Sequence, residues 1–152
     1  MKILRAEYRH LRKIEEIERL CFSLPWSYAQ LETQMLAENN IFLVAENENS
    51  DILGYVGMMF VLDEGYISNI AVSPAFRRQG VADALLDALE CHSREKKLAF
   101  MTLEVRESNV PAIALYSKHG FHSVGVRRNY YEKPRENAIL MTKFFADRQS
   151  CT

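Results

Sequence analysis

Residues 71–86 read AVSPAFRRQGVADALL. The first three close an apolar run, and from Val81 the pattern turns helical, with Val81, Leu85 and Leu89 on one face and Asp83, Asp87 and Glu90 off it. Between the two lie Arg77, Arg78, Gln79 and Gly80. A strand that feeds a helix through a Gly-containing turn brings backbone N–H groups close to whatever sits there. The helix N-terminus adds unpaired N–H groups and partial positive charge. The two arginines add donors suited to phosphate. The window therefore fits a polyphosphate or pyrophosphate cradle. It fits a solvated turn with two surface arginines equally well.

Outward from this joint, the chain alternates between two kinds of periodicity. Upstream, KILRA reads as a short strand, and Leu11, Ile14, Ile17, Leu20 and Cys21 recur at helical spacing. SLPWS interrupts, and Ser27 with Gln30 forms a capping box for a helix carrying Leu31 and Met35. IFLVAE, ILGYVGMMFVL and YISNIAV follow as strands, separated by NENSD and a tight turn at DEG. Met58 and Met59 are expected in the core. Downstream, FMTLEVR is a strand. Ser108 or Asn109 caps a helix with Pro111 in its first turn, and Gly120 closes it. A strand from Phe121 to about Arg127 and a last one at NAILMTKFF complete the order β-α-α-β-β-β-α-β-α-β-β. Neighbouring strands pair as hairpins, while the strand–helix–strand crossovers call for parallel pairing. The expectation is an α/β (α+β) fold: a mixed, mostly antiparallel twisted sheet of seven strands with helices on both faces.

The 152 residues suit one domain, placed at 1–146, with 147–152 expected to be a disordered tail. A composition of 48% hydrophobic and 26% charged residues supports a real core. The net charge of -1 offers no basic field for nucleic acid or a membrane surface. Cys21, Cys91 and Cys151 are far apart and form no CxxC, so neither a disulfide framework nor a zinc site is expected. His119 and His122 lack further ligands nearby, so no metal is expected. MKILRAEYRH has no apolar stretch of signal-peptide length, which points to the cytoplasm.

GxxxxGK[ST] and GxGxxG are both absent, which sets aside two familiar phosphate cradles. Arg77-Arg78-Gln79-Gly80-Val81-Ala82 instead resembles the Q/R-x-x-G-x-G/A signature of the GNAT N-acetyltransferases. LEVRESNVPAIALYSKHGF resembles that family's LEVR-x-x-N-x-x-A-x-x-LY-x-x-x-GF pattern, and the element order is similar over almost the whole chain. FSLPWS and RRNYYEKPRENAILM resemble the branch that acetylates the N-terminal alanine of ribosomal proteins, with one departure. Arg135-Glu136-Asn137-Ala138 stands where Gly-Glu-Asp-Ala is common.

The resemblance implies acetyl-CoA as cosubstrate, with its pyrophosphate on the backbone from Arg78 to Ala82 and Arg77 among the cofactor-binding residues, where Gly80 and Ala82 keep the approach clear. Ile70, Ala71 and Val72 would offer main-chain groups to the pantetheine arm, and the Val72 N–H would polarise the thioester carbonyl. Asn109 would contact the pantetheine. Glu104 would be the general base, acting through water; apart from the family, a strand-edge pair with Arg106 explains it. Tyr116 would donate a proton to the departing thiolate; apart from the family, it is a core tyrosine. Pro25, Trp26, Tyr130 and Tyr131 would build the acceptor side from two loops. Glu15, Glu16 and Glu18 could attract a basic peptide or simply form a solvated helix face.

The implied chemistry is direct attack of a neutral amine on a thioester. An α-amine near 7.7 is roughly one-sixth neutral at pH 7, against about one in 2,500 for a lysine near 10.4. That leans toward the N-terminus of a protein, a ribosomal protein by resemblance. A protein lysine or a small amine is the alternative.

Overall fold

The computed structural model describes residues 1–145; the tail expected at 147–152 lies outside them. Seven strands form one sheet in the order β1-β2-β3-β4-β5-β7-β6. They are β1 (Lys2–Arg5), β2 (Asn40–Glu46), β3 (Ile52–Val61), β4 (Glu64–Val72), β5 (Phe100–Arg106), β6 (His122–Tyr131) and β7 (Glu136–Phe144). The helices are α1 (Leu11–Cys21), α2 (Tyr28–Leu36), α3 (Val81–Glu95) and α4 (Val110–Lys118). All pairings are antiparallel except β4 with β5.

Period-two alternation divides the strand side chains between two cores. Phe42 and Val44 turn with Tyr55 toward Leu11, Ile14, Ile17 and Leu31 of α1 and α2. Ile41, Leu43 and Ala45 turn the other way, onto Val81, Leu85, Leu86 and Leu89 of α3. On β5, Met101, Leu103 and Val105 join this second core with Tyr116 of α4. Thr102, Glu104 and Arg106 therefore face the α1/α2 side.

Four local expectations change. Leu20 is 67% exposed, because α1 ends within a turn of it and the buried stripe runs through Leu11, Ile14 and Ile17. The turn after β3 is Leu62–Asp63, with Glu64 already in β4. β6 continues to Tyr131 through an irregularity between Arg127 and Tyr131, so Tyr130 and Tyr131 lie at a strand end and not in a loop. The second crossover does not give adjacent parallel strands, because β7 inserts between β5 and β6. In addition, Cys21 is free and half-buried.

The feature that positions the site is a split in the sheet. β4 and β5 pair only at Glu64–Tyr66 with Phe100–Thr102 and then diverge. A bulge explains the divergence: Gly57 pairs with Asn69 but Met58 pairs with Ile67, which leaves Ser68 unopposed. Such an extra residue bends its strand. Gln34 of α2 fastens it by donating from Nε2 to Ser68 Oγ at 2.7 Å, and Ser68 Oγ donates to Gly57 O at 3.3 Å. Glycine at 57 leaves room for this contact, since a Cβ would lie 2.6 Å from Gln34 Nε2 and 3.1 Å from Phe42 and would push the Gln34 amide off Ser68.

Candidate active site

Beyond the split, β4 keeps β3 on one side and has an open edge on the other. Ser73 N–H donates to Leu53 O at 2.8 Å, which turns backbone groups of alternate residues toward β3. Ala71 is therefore turned to β3, while Ile70 and Val72 turn their backbone groups into the gap. Val72 O accepts from the Cys21 thiol there, at 3.5 Å. Of the three strand residues expected to offer main-chain groups, two do so on this edge.

At the foot of the open edge lies the turn expected to cradle a pyrophosphate. Arg78 (φ 62°) and Gly80 (φ 76°) both adopt the left-handed region, and residues 77–80 are exposed. A Cβ on Gly80 would meet nothing within 4 Å, so the space before α3 is open. The α2 and α4 N-termini are closed by the Ser27 and Asn109 side chains, but no side chain caps α3. Its first N–H groups have no intrahelical acceptor and open onto the space before the helix. Val81 sends its side chain into the core, Ala82 is half-buried and Gln79 is exposed. Arg77 leans on α1, with Nη2 3.5 Å from Cys21 Sγ. Asp83, in the first turn, would repel an anion if it faced the cradle. Instead it pairs with Lys118 Nζ at 2.7 Å and His119 Nε2 at 2.8 Å at the end of α4. These donors fit a pyrophosphate.

A cavity of about 560 Å³ runs along the split, and Glu104 and Tyr116 both line it. They come from opposite faces of the sheet, Glu104 from β5 and Tyr116 from α4, and meet only because the strands part. Glu104 does not pair with Arg106. Its side chain is 6% exposed, with Oε1 3.1 Å from Arg127 Nε and Oε2 accepting from the Tyr66 hydroxyl. Arg127 reaches over β7 at Ala138, which is fully buried and small enough to pass under it. Arg106 turns to Glu136 and to the carbonyls of Glu132 and Pro134, and Tyr131 lies against its guanidinium. Tyr116 is 6% exposed with its ring tilted on Phe121, and burial pushes its phenol well above the ordinary tyrosine value. It is thus a core tyrosine whose edge reaches the cavity.

Sequence reading missed Tyr66. It pairs with Thr102 at the last rung before the split, two residues from Glu104 along β5. That register places it beside the carboxylate, and only the parallel pairing reveals it. Burial pushes its phenol far up, and the neighbouring Glu104 and Tyr130 push the same way.

Of the residues expected to take the acceptor, Trp26, Tyr130 and Tyr131 line the cavity, the two tyrosines edge to face at 5.0 Å. Burial lifts the Tyr131 phenol to about 12. Pro25 is exposed and off the wall; Phe22, Ser23 and Leu24 of the same loop are on it. Asn109 lines the cavity while its Oδ1 accepts from Ala112 N–H at 3.3 Å. Glu18, grouped above with solvated charges, is in fact buried and on the cavity wall. Among the described residues no three His, Cys, Asp or Glu side chains cluster to hold a metal, and no helix is long and apolar enough to cross a membrane.

This architecture has close relatives. Residues 11–121 match the family described as "Acetyltransferase (GNAT) family". The [ribosomal protein bS18]-alanine N-acetyltransferase of Haemophilus influenzae is 38% identical over 143 residues, 91% of this chain and 95% of that one. Its namesake from Escherichia coli K12 is 37% identical over 127 residues, 82% of this chain and 84% of the other. The crystal structure of the ribosomal-protein-S18-alanine N-acetyltransferase from Escherichia coli superposes with a TM-score of 0.88 at 32% identity, covering 99% of both chains. A family match across most of the sequence, with relatives of this identity along nearly its full length, leaves one conclusion: the chain belongs to the GNAT acetyltransferase family.

Proposed function

We propose that this N-acetyltransferase moves the acetyl group of acetyl-CoA onto the N-terminal α-amine of a ribosomal protein, with an alanine-first bS18-type N-terminus as the acceptor. The observation that carries the reading is the meeting of Glu104 and Tyr116 on one cavity across the split. The relatives named for bS18-alanine acetylation supply the acceptor.

When bound, acetyl-CoA supplies an activated acetyl thioester. The N–H groups of Gln79 to Ala82 hold the pyrophosphate, with Arg77 and Arg78 adding positive charge beside it. Ile70 and Val72 hydrogen-bond the pantetheine arm as a missing strand would, and Asn109 bounds it on the other side. The Val72 N–H donates to the thioester carbonyl and stabilises the charge that develops there. Glu104 takes the proton of the attacking amine, directly or through one water. Arg127 and Tyr66 hold its two oxygens in place. Tyr116 returns a proton to the leaving sulfur. Burial makes the phenol a weaker acid, but the same dry surroundings raise the proton affinity of the thiolate. Trp26, Tyr130 and Tyr131 form the walls for the first acceptor residues.

The test is mass spectrometry of synthetic N-terminal peptides incubated with the enzyme and acetyl-CoA. Acetylation of the α-amine, strongest on alanine-first sequences, is the expected outcome. Acetate found only on lysine side chains or on free small amines would reject the reading.

A further inference from the structure

Glu18 is 1% exposed and stands on the wall of the same cavity, yet nothing in the chemistry above employs it. Three elements converge on its carboxylate. Oε1 accepts from the Tyr55 hydroxyl of β3 and from Asn69 Nδ2 of β4, the latter at 2.6 Å. Oε2 accepts from the Trp26 N–H of the α1–α2 loop at 3.0 Å. Asn69 lies at the bulge that opens the sheet, and Trp26 lies on the acceptor wall. One helical turn earlier, Glu15 accepts from the Tyr28 N–H at 3.1 Å, so both ends of this stretch hang from α1 carboxylates. Glu15 has Arg19 at 2.8 Å. No cation pairs with Glu18 among the described residues.

We propose that Glu18 is a positioning residue for the acceptor side: its carboxylate fastens the α1–α2 loop to the bulged segment of β4, and its charge state sets whether that loop is held. Resting on the acetyl-transfer reading only for what the loop binds, the proposal follows from the donor count. All three partners donate to it in the structure; Asn69 Nδ2 and the Trp26 N–H can only donate, while the Tyr55 hydroxyl can also turn to accept. Protonation puts a donor on one oxygen, which only the Tyr55 hydroxyl can turn to accept, and leaves the Trp26 and Asn69 N–H groups a neutral acceptor in place of a charged one, so both contacts weaken.

Burial without a cation pushes this carboxyl up to about 7, although the Trp26 and Asn69 hydrogen bonds pull it down. The titratable groups facing it are few. They are Tyr55 on β3 and Cys21 one turn along α1, whose thiol is itself raised by burial and touched by Arg77. The loop would thus be latched above neutrality and loosened below it.

The chain has a single tryptophan, Trp26, which reports on the latch directly. Its emission should be recorded on the free enzyme from about pH 5 to about pH 9, without either substrate. The expected result is one transition near neutrality. Glu18→Gln places an amide NH2 against the donors, so it should show the acid-limb emission at every pH; Glu18→Asp should keep a transition. With a peptide acceptor, Glu18→Gln should raise KM about fivefold or more, while acetyl-CoA affinity stays within about twofold. Tyr55→Phe removes one donor to the charged form, so its midpoint should move to higher pH, and this holds the test open if Glu18→Gln does not fold. A wild-type emission that is flat, a transition that persists unchanged in Glu18→Gln, or a midpoint that stays put in Tyr55→Phe overturns the proposal. Because no acceptor is present in the titration, a wrong acceptor assignment would leave this result intact, and the converse also holds.

Discussion

Glu104 shows how little a residue's type says about its use. Two positions away, Arg106 is the obvious partner by alternation, yet it is taken up by Glu136 and by carbonyls before β7. Glu104 is clasped by Arg127 and Tyr66 instead, from two other strands. Glu104→Gln should lower kcat by roughly 10²- to 10⁴-fold with acetyl-CoA affinity nearly unchanged, and Tyr116→Phe should act in the same direction. Steady-state kinetics with parallel calorimetric titration checks both. Full turnover in either variant removes that residue from the reaction. Tyr66→Phe leaves the Glu104 carboxylate in place but frees Oε2. A smaller drop in kcat, about tenfold, is expected, with little change in acetyl-CoA affinity. An unchanged kcat would make the Tyr66 hydroxyl a packing feature only.

At the scale of elements, α3 is a helix built with one end reserved. Its inner face is fully apolar at Val81, Leu85 and Leu89, and burying each leucine contributes about 1.5–3 kcal/mol. Its N-terminus carries no side-chain cap, nor does that of α1, which continues directly from a 3-10 turn at Tyr8–His10; α2 and α4, each entered from a loop, have a cap, worth about 1 kcal/mol. Leaving the α3 end open makes sense if a ligand occupies it. Asp83, the first-turn acid that could have spoiled the site, is held aside by Lys118 and His119, which hold its carboxyl below the usual range. Gly80→Leu would force a side chain into the left-handed region and into the open space before the helix. Acetyl-CoA affinity should fall by at least about tenfold, with the melting temperature lowered only modestly because residue 80 packs against nothing. Equal affinity in calorimetry would reject the cradle.

For the whole molecule, the buried Glu18 links stability to pH. Its carboxyl lies at about 7 in the fold against an ordinary value of 4.5, so the folded state keeps a proton that the unfolded chain releases. Its contribution is fully present below 4.5 and declines as pH rises to about 7, a loss on the order of 3 kcal/mol. Glu18→Gln cannot titrate. The stability of wild type minus variant should therefore fall across that window and level off above it, as denaturant unfolding at several pH values would show. A constant difference would mean Glu18 does not change charge on folding. The order of strands and helices was legible in the chain, because period-two and period-3.6 patterns, Ser27, Asn109 and Gly120 are local signals. So was the strand–glycine–helix joint at residues 71–86, since its parts lie within a few consecutive residues. The family pattern likewise picked out Glu104 and Tyr116, which share one cavity wall. Three things were decided only by the tertiary structure: the partners of Glu104, the burial of Glu18, and the split that joins both faces of the sheet. Each depends on register between distant strands, and above all on Ser68, the unopposed residue that Gln34 fastens from another element. A sequence states which side chains alternate along a strand. Where two strands stop pairing depends on long-range contacts that no local pattern records.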